Sequence, residues 1–573
     1  MAIHALITGW DLLVIFLYLA ALVGMGLFVS FKLKGSHDLF LGGKSIRWYN
    51  IGGTIFATNM GASMLIASSS VAYKSGMVAA NFEWLAWMFL LLVSIVFLPH
   101  YMRMKVTTMP EFIKRRFGER TYTFLSIYTL FTTLILWLAG TFYAGGVIVS
   151  QAFNWPLWLS IFFLTIICTV LAASGGLLVV AITDTFQTIL MIGGSATLVL
   201  LGLHHVGGFQ GLVDSIPADY WKLVRPLDDK SFPWLAMFLG YPVMGIWFWC
   251  TDQTIIQRFM GARSLPEAQR GALFAGFLKV IPPFLFLMPG ILCFALHPGL
   301  DDPDKAYMMM VTHHLPTGMV GFMAVVMIAT LVSSIDSGLN SFSTVLTMDI
   351  YVKNFRPNAS QKEIQRLGRI TTVLTALFAM LCGWSMASFG KDMFNLFQSI
   401  IAFFAPPIGT VFLLGVLWKR STSEAAFWTI IVGTITCLTS GYLYNIGILT
   451  LPGVFGHYLM MSFMLFVCMV VMFVVISLLT QPTPDQEALL GTKETYDEMG
   501  VKPPKKLWIG WAILAVIMFV IYFGFQNLSK NRAEIEAQSP PPVEQPAPTQ
   551  LPTPDLPAPE EEPPAEAGSL QTE

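Results

Sequence analysis

Long apolar runs recur along this sequence, and they constrain its fold more than any other feature. A run of about 18 or more apolar residues is long enough to cross a bilayer as a helix. In lipid, every backbone polar group must be paired inside the protein, and single helices of this length meet that condition. The sequence therefore predicts an all-α polytopic membrane protein of about 14 spans, at 10–31, 47–73, 79–101, 122–151, 155–173, 178–204, 234–257, 271–296, 318–350, 368–388, 392–418, 424–446, 456–480 and 507–527.

Composition agrees with a membrane protein and excludes several classes of function. Only 12% of the residues are charged, whereas soluble proteins carry about 25%. The net charge of −1 excludes a generally basic nucleic-acid-binding protein. All six cysteines fall inside apolar runs without metal-ligand spacing, so we interpret them as buried apolar side chains. A membrane-embedded enzyme is disfavoured, because no Ser–His or Cys–His arrangement lies at the end of a span.

Basic residues mark alternate loops between the spans, which predicts the orientation of the chain. Lysine and arginine are enriched in loops on the cytoplasmic side. The same parity fits every basic loop, which favours an even number of spans and places both termini outside. The loops concerned contain Lys32, Lys34, Lys44 and Arg47; Arg103, Lys105, Lys114, Arg115, Arg116 and Arg120; Arg258, Arg263 and Arg270; Lys353, Arg356, Lys362, Arg366 and Arg369; Lys419 and Arg420; and Lys493, Lys502, Lys505 and Lys506.

Two spans contain residues that favour an interrupted helix. Gly and small polar residues fill 51–64, and 240–253 has the same character with Pro242 added. Broken spans at matching places in two halves of a chain are typical of a transporter site at the bilayer midplane, although Gly is also common in ordinary membrane helices. The two spans lie five spans apart, which predicts two inverted five-span repeats.

This repeat hypothesis divides the chain into six parts. The repeats would occupy 47–204 and 234–418, joined by an outside loop. A proline- and glutamate-rich composition cannot bury a core, so the end of the chain is predicted to be disordered. The parts are 1–46 with the first flanking span and a basic inside loop, 47–204, 205–233, 234–418, 419–528 with further flanking spans, and the tail 529–573.

Hydroxyl side chains line one face of the ninth span around an unusual carboxylate. Thr330, Ser333, Ser334 and Ser337 recur at helical spacing, and Asp336 lies beside them. A charge at this depth costs about 2.5–3.5 kcal/mol and indicates a functional site by default. Each hydroxyl alone is typical of helix–helix contacts. The whole group together with Asp336 predicts a cation site.

Four other ionisable or amide residues lie within or at the ends of spans. Asp184 is in the sixth span, Glu83 begins the third, Lys279 is in the eighth and Gln398 is in the eleventh. An ammonium group in a span needs an acceptor. Glu83, Gln398 and a hydroxylated ligand are the candidate acceptors for Lys279.

Several strings of residues occur here in an order that resembles one transporter family. They include Thr108–Met109–Pro110–Glu111–Phe112, Phe248–Trp249–Cys250–Thr251–Asp252–Gln253, and Gln398–Ser399 leading to Ala405–Pro406–Pro407. Over about residues 10–480 the chain resembles the sodium/solute symporter family, and within it the sodium/sugar (glucose/galactose-type) cotransporter branch. This resemblance implies a LeuT-type inverted five-plus-five helix repeat with flanking helices, and sodium-driven uptake by alternating access.

The resemblance also implies sites for sodium ions. The family's principal sodium site corresponds to two backbone carbonyls and three residues of the ninth span: Ala57, Met60, Thr330, Ser333 and Ser334. A second sodium site of some members corresponds to Asp184, Ser333, Ser334, Asp336 and Ser337. Position 336 is acidic here, where those members have a hydroxyl. Two carboxylates would either hold a second sodium more firmly or share a proton.

The resemblance also implies a solute site, and this chain keeps the family's residue types at most but not all of its positions. Its positions correspond to Asn59, Met64, Glu83, Trp249, Lys279 and Gln398, with aromatic gates at Phe82, Phe248 and Phe394. Amide, carboxylate and ammonium groups suit a polyol, since each hydroxyl both donates and accepts. Met64 stands where sugar carriers place a His or Gln, and Phe248 where many have a Tyr. We therefore expect a less hydroxylated or differently oriented ligand.

The function predicted is a sodium-coupled symporter that imports a sugar or related polyol across the plasma or inner membrane. Its partners would be this solute, sodium ions and the lipid bilayer, without nucleic acid. Alternatives are a sodium symporter for another small organic solute, such as inositol, sialic acid or another organic acid with Lys279 as counter-ion, and a transporter-like channel or sensor. Uphill, sodium-dependent accumulation distinguishes a symporter from a channel.

Overall fold

The structure is a computed structural model that describes residues 8–31, 36–316, 318–385, 393–481 and 491–538 of the chain. These residues are almost entirely helical. Among them there is no β-strand, only the isolated bridges Ile46–Ala262 and Arg225–Pro233. The predicted tail from residue 539 onward lies outside the described residues.

The helices follow the apolar runs in order. The α-helices are Gly9–Ser30, Ser36–Leu41, Trp48–Asn59, Ala62–Ser75, Asn81–Trp84, Ala86–Leu92, Leu98–Arg103, Met109–Phe117, Glu119–Thr132, Gly140–Phe153, Leu157–His205, Gly208–Ser215, Trp234–Gly245, Gln253–Met260, Leu265–Leu278, Met288–Leu296, Ala306–His314, Met319–Val345, Gln361–Ser385, Met393–Leu417, Ser423–Asn445, Tyr458–Leu479, Thr492–Glu498 and Lys505–Gln538. Five π-helical segments continue some of them: Val93–Phe97, Thr133–Ala139, Ile246–Thr251, Pro283–Leu287 and Leu346–Val352.

Twelve helical stretches of the described residues are long and apolar enough to cross a membrane. The prediction of about fourteen spans is higher for two structural reasons. The predicted span at 155–173 is a shorter apolar helix, Leu157–Ala173. The predicted span at 47–73 is divided into Trp48–Asn59 and Ala62–Ser75, which we call the interrupted helix.

Both predicted interruptions are present. The interrupted helix breaks at Met60, where ψ is 61°, and the chain resumes as a helix after Gly61. The second break follows the π-helical segment Ile246–Thr251, where Asp252 is extended and begins Gln253–Met260. The Asp252 carboxylate caps this short helix by accepting from the Thr254 N–H at 2.8 Å.

A glycine divides the long helix Leu157–His205 into two helical segments. Gly176 has φ 58° and ψ −155°, a conformation that is essentially restricted to glycine. A Cβ at this position would lie 2.0 Å from the Leu39 carbonyl oxygen. The fifth and sixth predicted spans are therefore joined by a sharp kink at the position of the Gly175–Gly176 pair.

Substitution Gly176→Ala is expected to lower the thermal stability of the purified protein clearly. The unfavourable backbone conformation alone costs about 1–3 kcal/mol, and the contact with the Leu39 carbonyl adds to it. Gly193→Ala on the same helix is the matched control, since its added Cβ meets nothing within 4 Å. Equal melting temperatures for the two variants would contradict this explanation of the kink.

The helix Met319–Val345, which we call the serine helix, runs through the centre of the protein. Every residue from Met323 to Val345 is buried. It packs most extensively against Leu157–His205, which also packs against the first half of the interrupted helix. At its start, the Asp11 carboxylate accepts from the Gly321 N–H at 2.8 Å. The hydroxyl face of the serine helix is thus enclosed by protein rather than by lipid.

The last described helix corrects the predicted start of the tail. It continues to Gln538, past the predicted boundary at residue 529. Ser529 donates to the Ala218 carbonyl at 3.1 Å, and Arg532 donates to the Asp214 carbonyl at 2.7 Å. Contacts with the loop 205–233 therefore stabilise about ten residues whose composition alone does not predict order.

Candidate functional site

A cavity of about 170 Å³ lies between the interrupted helix, the third span and the segment around Trp249. A single water needs about 10–15 Å³ measured in this way, so the cavity has room for a small organic molecule. Five of the six predicted solute residues line it: Asn59, Met64, Glu83, Trp249 and Gln398.

Lys279, the sixth predicted solute residue, lies at the edge of this cavity and holds two of its walls together. Its ammonium group donates to the Asn59 side-chain oxygen and to the Glu83 carboxylate. It also lies over the Trp249 ring, 5.1 Å from the centroid. Lys279 is 1% exposed and Glu83 is 5% exposed. The acceptors that the sequence requires for this ammonium are therefore Glu83 and Asn59, and Lys279 links three elements that carry site residues.

Aromatic side chains form much of the remaining wall. Phe82 packs edge-to-face against Tyr241, whose hydroxyl donates to the Phe82 carbonyl at 2.5 Å. Phe248 stacks on Trp137 with ring centroids 5.9 Å apart. Two of the three residues predicted as gates, Phe82 and Phe248, line the cavity. The side chain of the third, Phe394, lies outside the described residues.

Trp137 is a site residue that the sequence analysis missed. It lines the cavity, and its indole N–H donates to the Ser334 carbonyl at 2.9 Å. It thereby connects the fourth span to the serine helix. Nothing in the sequence distinguishes it from the other tryptophans of the apolar runs.

The break in the interrupted helix frees backbone carbonyls beside the predicted sodium-binding serines. The last carbonyls of a helix lack intrahelical partners. Ser333 donates to the Ala57 carbonyl at 2.8 Å, and Ser334 donates to the Thr58 carbonyl at 3.1 Å. The Thr330 carbonyl lies 3.4 Å from the Ser333 hydroxyl, while the Thr330 hydroxyl donates to Met327 in its own helix. Oxygen atoms from two helices thus converge on one buried place, an arrangement that suits a hard cation.

A second polar group surrounds Asp184, which lies on Leu157–His205. It meets the serine helix at Ser337, one helical turn beyond Ser333 and Ser334. Thr54 donates to the Asp184 carboxylate at 2.5 Å. The Thr58 and Ser337 hydroxyls are 2.9 Å apart, and Thr58 lies 3.5 Å from the same carboxylate oxygen. Thr58 therefore connects Asp184 to Ser337, two residues of the predicted second sodium site.

Arg258 belongs to this group, which corrects its predicted place in a cytoplasmic basic loop. It is fully buried. Its guanidinium donates to Thr54 at 3.0 Å and to Ser337, and it lies 4.0 Å from the Asp184 carboxylate. The positive-inside rule counts basic residues without regard to depth. Here the short helix Gln253–Met260 turns Arg258 toward the protein interior.

Asp336 adds a second buried carboxylate to this group. One of its oxygens lies 3.5 Å from the Ser337 hydroxyl. Among the described residues, its other oxygen and one oxygen of Asp184 have no hydrogen-bond partner. Asp184, Asp336 and Arg258 together carry one net negative charge when all three are ionised. Buried charge without a partner is unfavourable, so this group favours binding of one further cation or proton.

Two glutamines, one at the end of the Phe248–Gln253 string and one a helical turn beyond it, have structural partners. Gln253 accepts from the Met109 N–H at 2.8 Å. Gln257 donates to the Phe40 carbonyl at 2.7 Å and to the Thr344 hydroxyl at 2.8 Å. These contacts fix the second broken helix against three neighbouring elements and so position Trp249 and Arg258.

Two solved transporter structures share this fold. A substrate-bound, outward-open Na⁺-coupled sialic acid symporter superposes with a TM-score of 0.72 at 22% identity, over 83% of this chain and 99% of that one. A nucleobase-cation-symport-1 family transporter, in a closed conformation with bromovinylhydantoin bound, gives a TM-score of 0.52 at 13% identity, over 81% of this chain and 99% of that one. These similarities concern the fold, and they confirm the predicted LeuT-type class.

Sequence relatives assign the family. Sodium/glucose cotransporter 1 of Ovis aries is 31% identical over 529 residues, which is 83% of this chain and 79% of that protein. Sodium/myo-inositol cotransporter 2 of Oryctolagus cuniculus is 33% identical over 465 residues, covering 74% of this chain and 68% of that protein. A sequence model of the sodium:solute symporter family matches residues 39–433. With most of the chain matched in this way, and with hydroxyls and freed carbonyls meeting beside a solute-sized cavity, this chain is an integral membrane protein that belongs to the sodium:solute symporter family.

Proposed function

We propose that this sodium-coupled symporter imports a sugar or a related polyol by alternating access across the cell membrane, with both termini outside. One observation carries the proposal. Ser334 lines the solute cavity, and its hydroxyl also meets the Thr58 carbonyl at the break of the interrupted helix. The predicted sodium ligands and the solute cavity therefore share a wall.

We assign the principal sodium ion to the carbonyls of Ala57 and Met60 together with Thr330, Ser333 and Ser334. In this structure the Ser333 and Ser334 hydroxyls donate hydrogen bonds to carbonyls at the end of the broken helix. A bound sodium ion would replace these hydrogen bonds, because hydroxyl and carbonyl oxygens would both coordinate the ion. This fixes the residues Ala57–Met60, and Asn59 among them is a wall of the cavity. Sodium binding thus orders one side of the solute site, which gives a physical reason for coupling.

The chemistry of the cavity favours a neutral, hydroxylated solute over an organic acid. Asn59, Glu83 and Gln398 offer both donors and acceptors to hydroxyl groups. The Trp249 face suits the C–H side of a sugar ring. The Glu83 carboxylate already neutralises the Lys279 ammonium. Lys279 is therefore a poor counter-ion for an organic acid, the role that the alternative prediction gives it. The names of the relatives, glucose and myo-inositol cotransporters, agree with this choice.

The aromatic side chains would close over the solute from both sides. Phe82 with Tyr241 and Phe248 with Trp137 form the described parts of these walls. Phe394 stays a predicted gate. Because Met64 lines the cavity where sugar carriers place a His or Gln, we expect one hydroxyl of the solute to lack a partner on that side. Preference among related sugars would then favour those without a hydroxyl at the position facing Met64.

A second sodium ion is proposed at Asp184, Ser333, Ser334, Asp336 and Ser337. The unpartnered oxygens of Asp184 and Asp336 support it, and Arg258 would remain as their fixed counter-charge. Each sodium ion that crosses 100 mV gains about 2.3 kcal/mol. Two ions per cycle would therefore support a much steeper solute gradient than one.

Substitution Asp336→Asn is expected to reduce the cooperativity of sodium activation. The remaining charges of Asp184 and Arg258 would balance, so the group no longer favours a second cation. The Hill coefficient for sodium in proteoliposome uptake should fall toward about 1. Asp349→Asn is the matched control on the same chain segment, since Asp349 is held by Thr108 at 2.9 Å and Tyr122 at 3.1 Å away from this group. A wild-type coefficient near 1 would contradict the second site.

Radiolabelled uptake into proteoliposomes tests the proposed function. The panel should contain hexoses, inositols, nucleosides and organic acids, each with an inward sodium gradient and with choline in its place. We expect a hexose or polyol to accumulate above its outside concentration only with sodium. Accumulation of an organic acid alone, or flux that merely follows the solute gradient, would contradict the proposal.

A further inference from the structure

Five of the nine histidines of the chain gather at the ends of three helical elements. We call this group the histidine cluster: His204, His205, His297, His313 and His314. They come from the end of Leu157–His205, the residue after Met288–Leu296, and the end of Ala306–His314. Three separate elements therefore bring imidazoles together, at the end predicted to face outside.

The centre of the histidine cluster is a direct contact between two imidazoles. The Nε2 atoms of His297 and His314 are 2.9 Å apart. Only one of these nitrogens can carry a proton that the other accepts. Two nitrogens that bind one metal at about 2.0–2.1 Å each are about 2.9 Å apart at a right angle and about 3.4 Å apart at a tetrahedral angle. A metal ion can thus replace the shared proton with little change in the separation of the two nitrogens, if both rings turn so that their lone pairs point at the ion.

A neighbouring imidazole presents a nitrogen for metal binding. The Nδ1 of His205 contacts the Leu201 carbonyl at 2.7 Å. A carbonyl can only accept, so Nδ1 carries the proton in this ring and Nε2 keeps its lone pair. Such a hydrogen bond behind the ring is the usual support of a metal-binding histidine.

The ring separations place neighbouring imidazoles near the central pair. The His205 and His314 ring centroids are 4.9 Å apart, and those of His297 and His313 are 5.7 Å apart. Among the described residues, no three His, Cys, Asp or Glu side chains are already arranged around one metal position. Within the described residues, the cluster is therefore a pair of nitrogens with a third imidazole alongside, and a third metal ligand requires the His205 ring to turn toward the pair.

The centre of the histidine cluster also contains an unsatisfied ring nitrogen. In the part of the chain that the structure describes, the buried Nδ1 of His314 has no hydrogen-bond partner. A buried polar atom without a partner is unfavourable, so this place favours a further ligand or ion.

We propose that His297 and His314, completed by His205, form a binding site for a divalent transition-metal ion of the Zn²⁺ class. Imidazole nitrogens select zinc, copper and nickel over the hard ions sodium, magnesium and calcium. The site is thus distinct from the sodium sites, which are built from oxygen. Bound metal would tie the outer ends of the sixth and eighth spans to the helix that precedes the serine helix.

Zinc titration of the full-length protein, carrying no histidine tag, tests this site. We expect one high-affinity Zn²⁺ per chain by isothermal titration calorimetry in detergent at pH 7. Loss of an outer partner of a metal ligand costs about 10–100-fold in affinity, so His297→Gln and His314→Gln should each weaken binding by at least about tenfold. His457→Gln is the control, because that imidazole contacts the Ser231 carbonyl at 2.8 Å in another part of the chain. Undiminished binding in both cluster variants would overturn the proposal.

A footprinting measurement on the unmutated protein avoids any effect of the substitutions on folding. Diethyl pyrocarbonate modifies accessible, unprotonated imidazoles, and mass spectrometry reports each one. Zn²⁺ should protect His205, His297 and His314, and leave modification of His457 unchanged, whereas Mg²⁺ should protect none. Equal modification of the three rings with and without Zn²⁺ would overturn the site.

Discussion

Glu83→Gln is expected to abolish solute uptake and to destabilise the protein at the same time. The Glu83 carboxylate is the only charged partner of the Lys279 ammonium in the described structure, and both side chains are buried. Breaking a buried ion pair from one side costs about 3–5 kcal/mol, because the remaining charge stays without compensation. Thermal unfolding in detergent and uptake in proteoliposomes measure the two effects separately.

The double variant Glu83→Gln with Lys279→Met separates stability from solute binding. Replacing both members of a buried pair is often neutral for stability, so the double variant should regain most of the lost melting temperature. It should still fail to transport, because Asn59 and the side chain at position 83 have lost the ammonium that positions them. Lys305→Met is the control: its ammonium is 64% exposed and 3.7 Å from Asp302, so it should matter little. Recovered uptake in the double variant would contradict a role for this pair in the solute site.

Arg258→Met is expected to make the stability of the protein strongly dependent on sodium. Arg258 is the cation nearest to Asp184 and Asp336, and its loss leaves their negative charge buried. The expected destabilisation is again about 3–5 kcal/mol in the absence of sodium. A sodium ion bound between the two carboxylates would restore part of it. Melting temperatures in sodium chloride and in choline chloride measure this difference.

A surface arginine serves as the control for Arg258. Arg270 lies 3.3 Å from Glu267 with its side chain 53% exposed, so Arg270→Met should change stability by less than about 1 kcal/mol in either salt. Adding Asp184→Asn to Arg258→Met should restore stability in choline chloride. If the single Arg258 variant is equally stable in both salts, the buried carboxylates do not attract sodium.

Features that depend on local residue types were predictable from the sequence. Glycine and proline predicted both broken helices, and helical spacing placed Ser333 and Ser334 on the face that meets the first break. An unpaired ammonium in lipid is unfavourable, so the sequence predicts an acceptor for Lys279, with Glu83 among the candidates. These inferences rest on neighbours along one helix or on the properties of a single side chain.

Features that depend on packing between distant segments were not predictable. Arg258 lies in a short helix whose direction only the fold determines, so the sequence alone predicts a loop position for its charge. Trp137 became a cavity wall because a π-helical segment turns it toward Ser334. The last helix extends to Gln538 because Arg532 and Ser529 find carbonyls more than 300 residues earlier in the chain. Residue composition does not predict such contacts between distant segments.

The sodium dependence of Ser334→Ala tests the central claim most directly. A hydrogen bond or ligand contact to a charged group contributes about 1.5–3 kcal/mol, and 1.4 kcal/mol corresponds to about tenfold in affinity. The half-saturating sodium concentration for uptake should therefore rise by at least about tenfold. The control is Ser343→Ala on the same serine helix, which should leave this concentration unchanged. The Ser343 hydroxyl donates to the Gly368 carbonyl of a neighbouring helix at 2.7 Å. Wild-type sodium dependence in Ser334→Ala would show that the ion binds elsewhere.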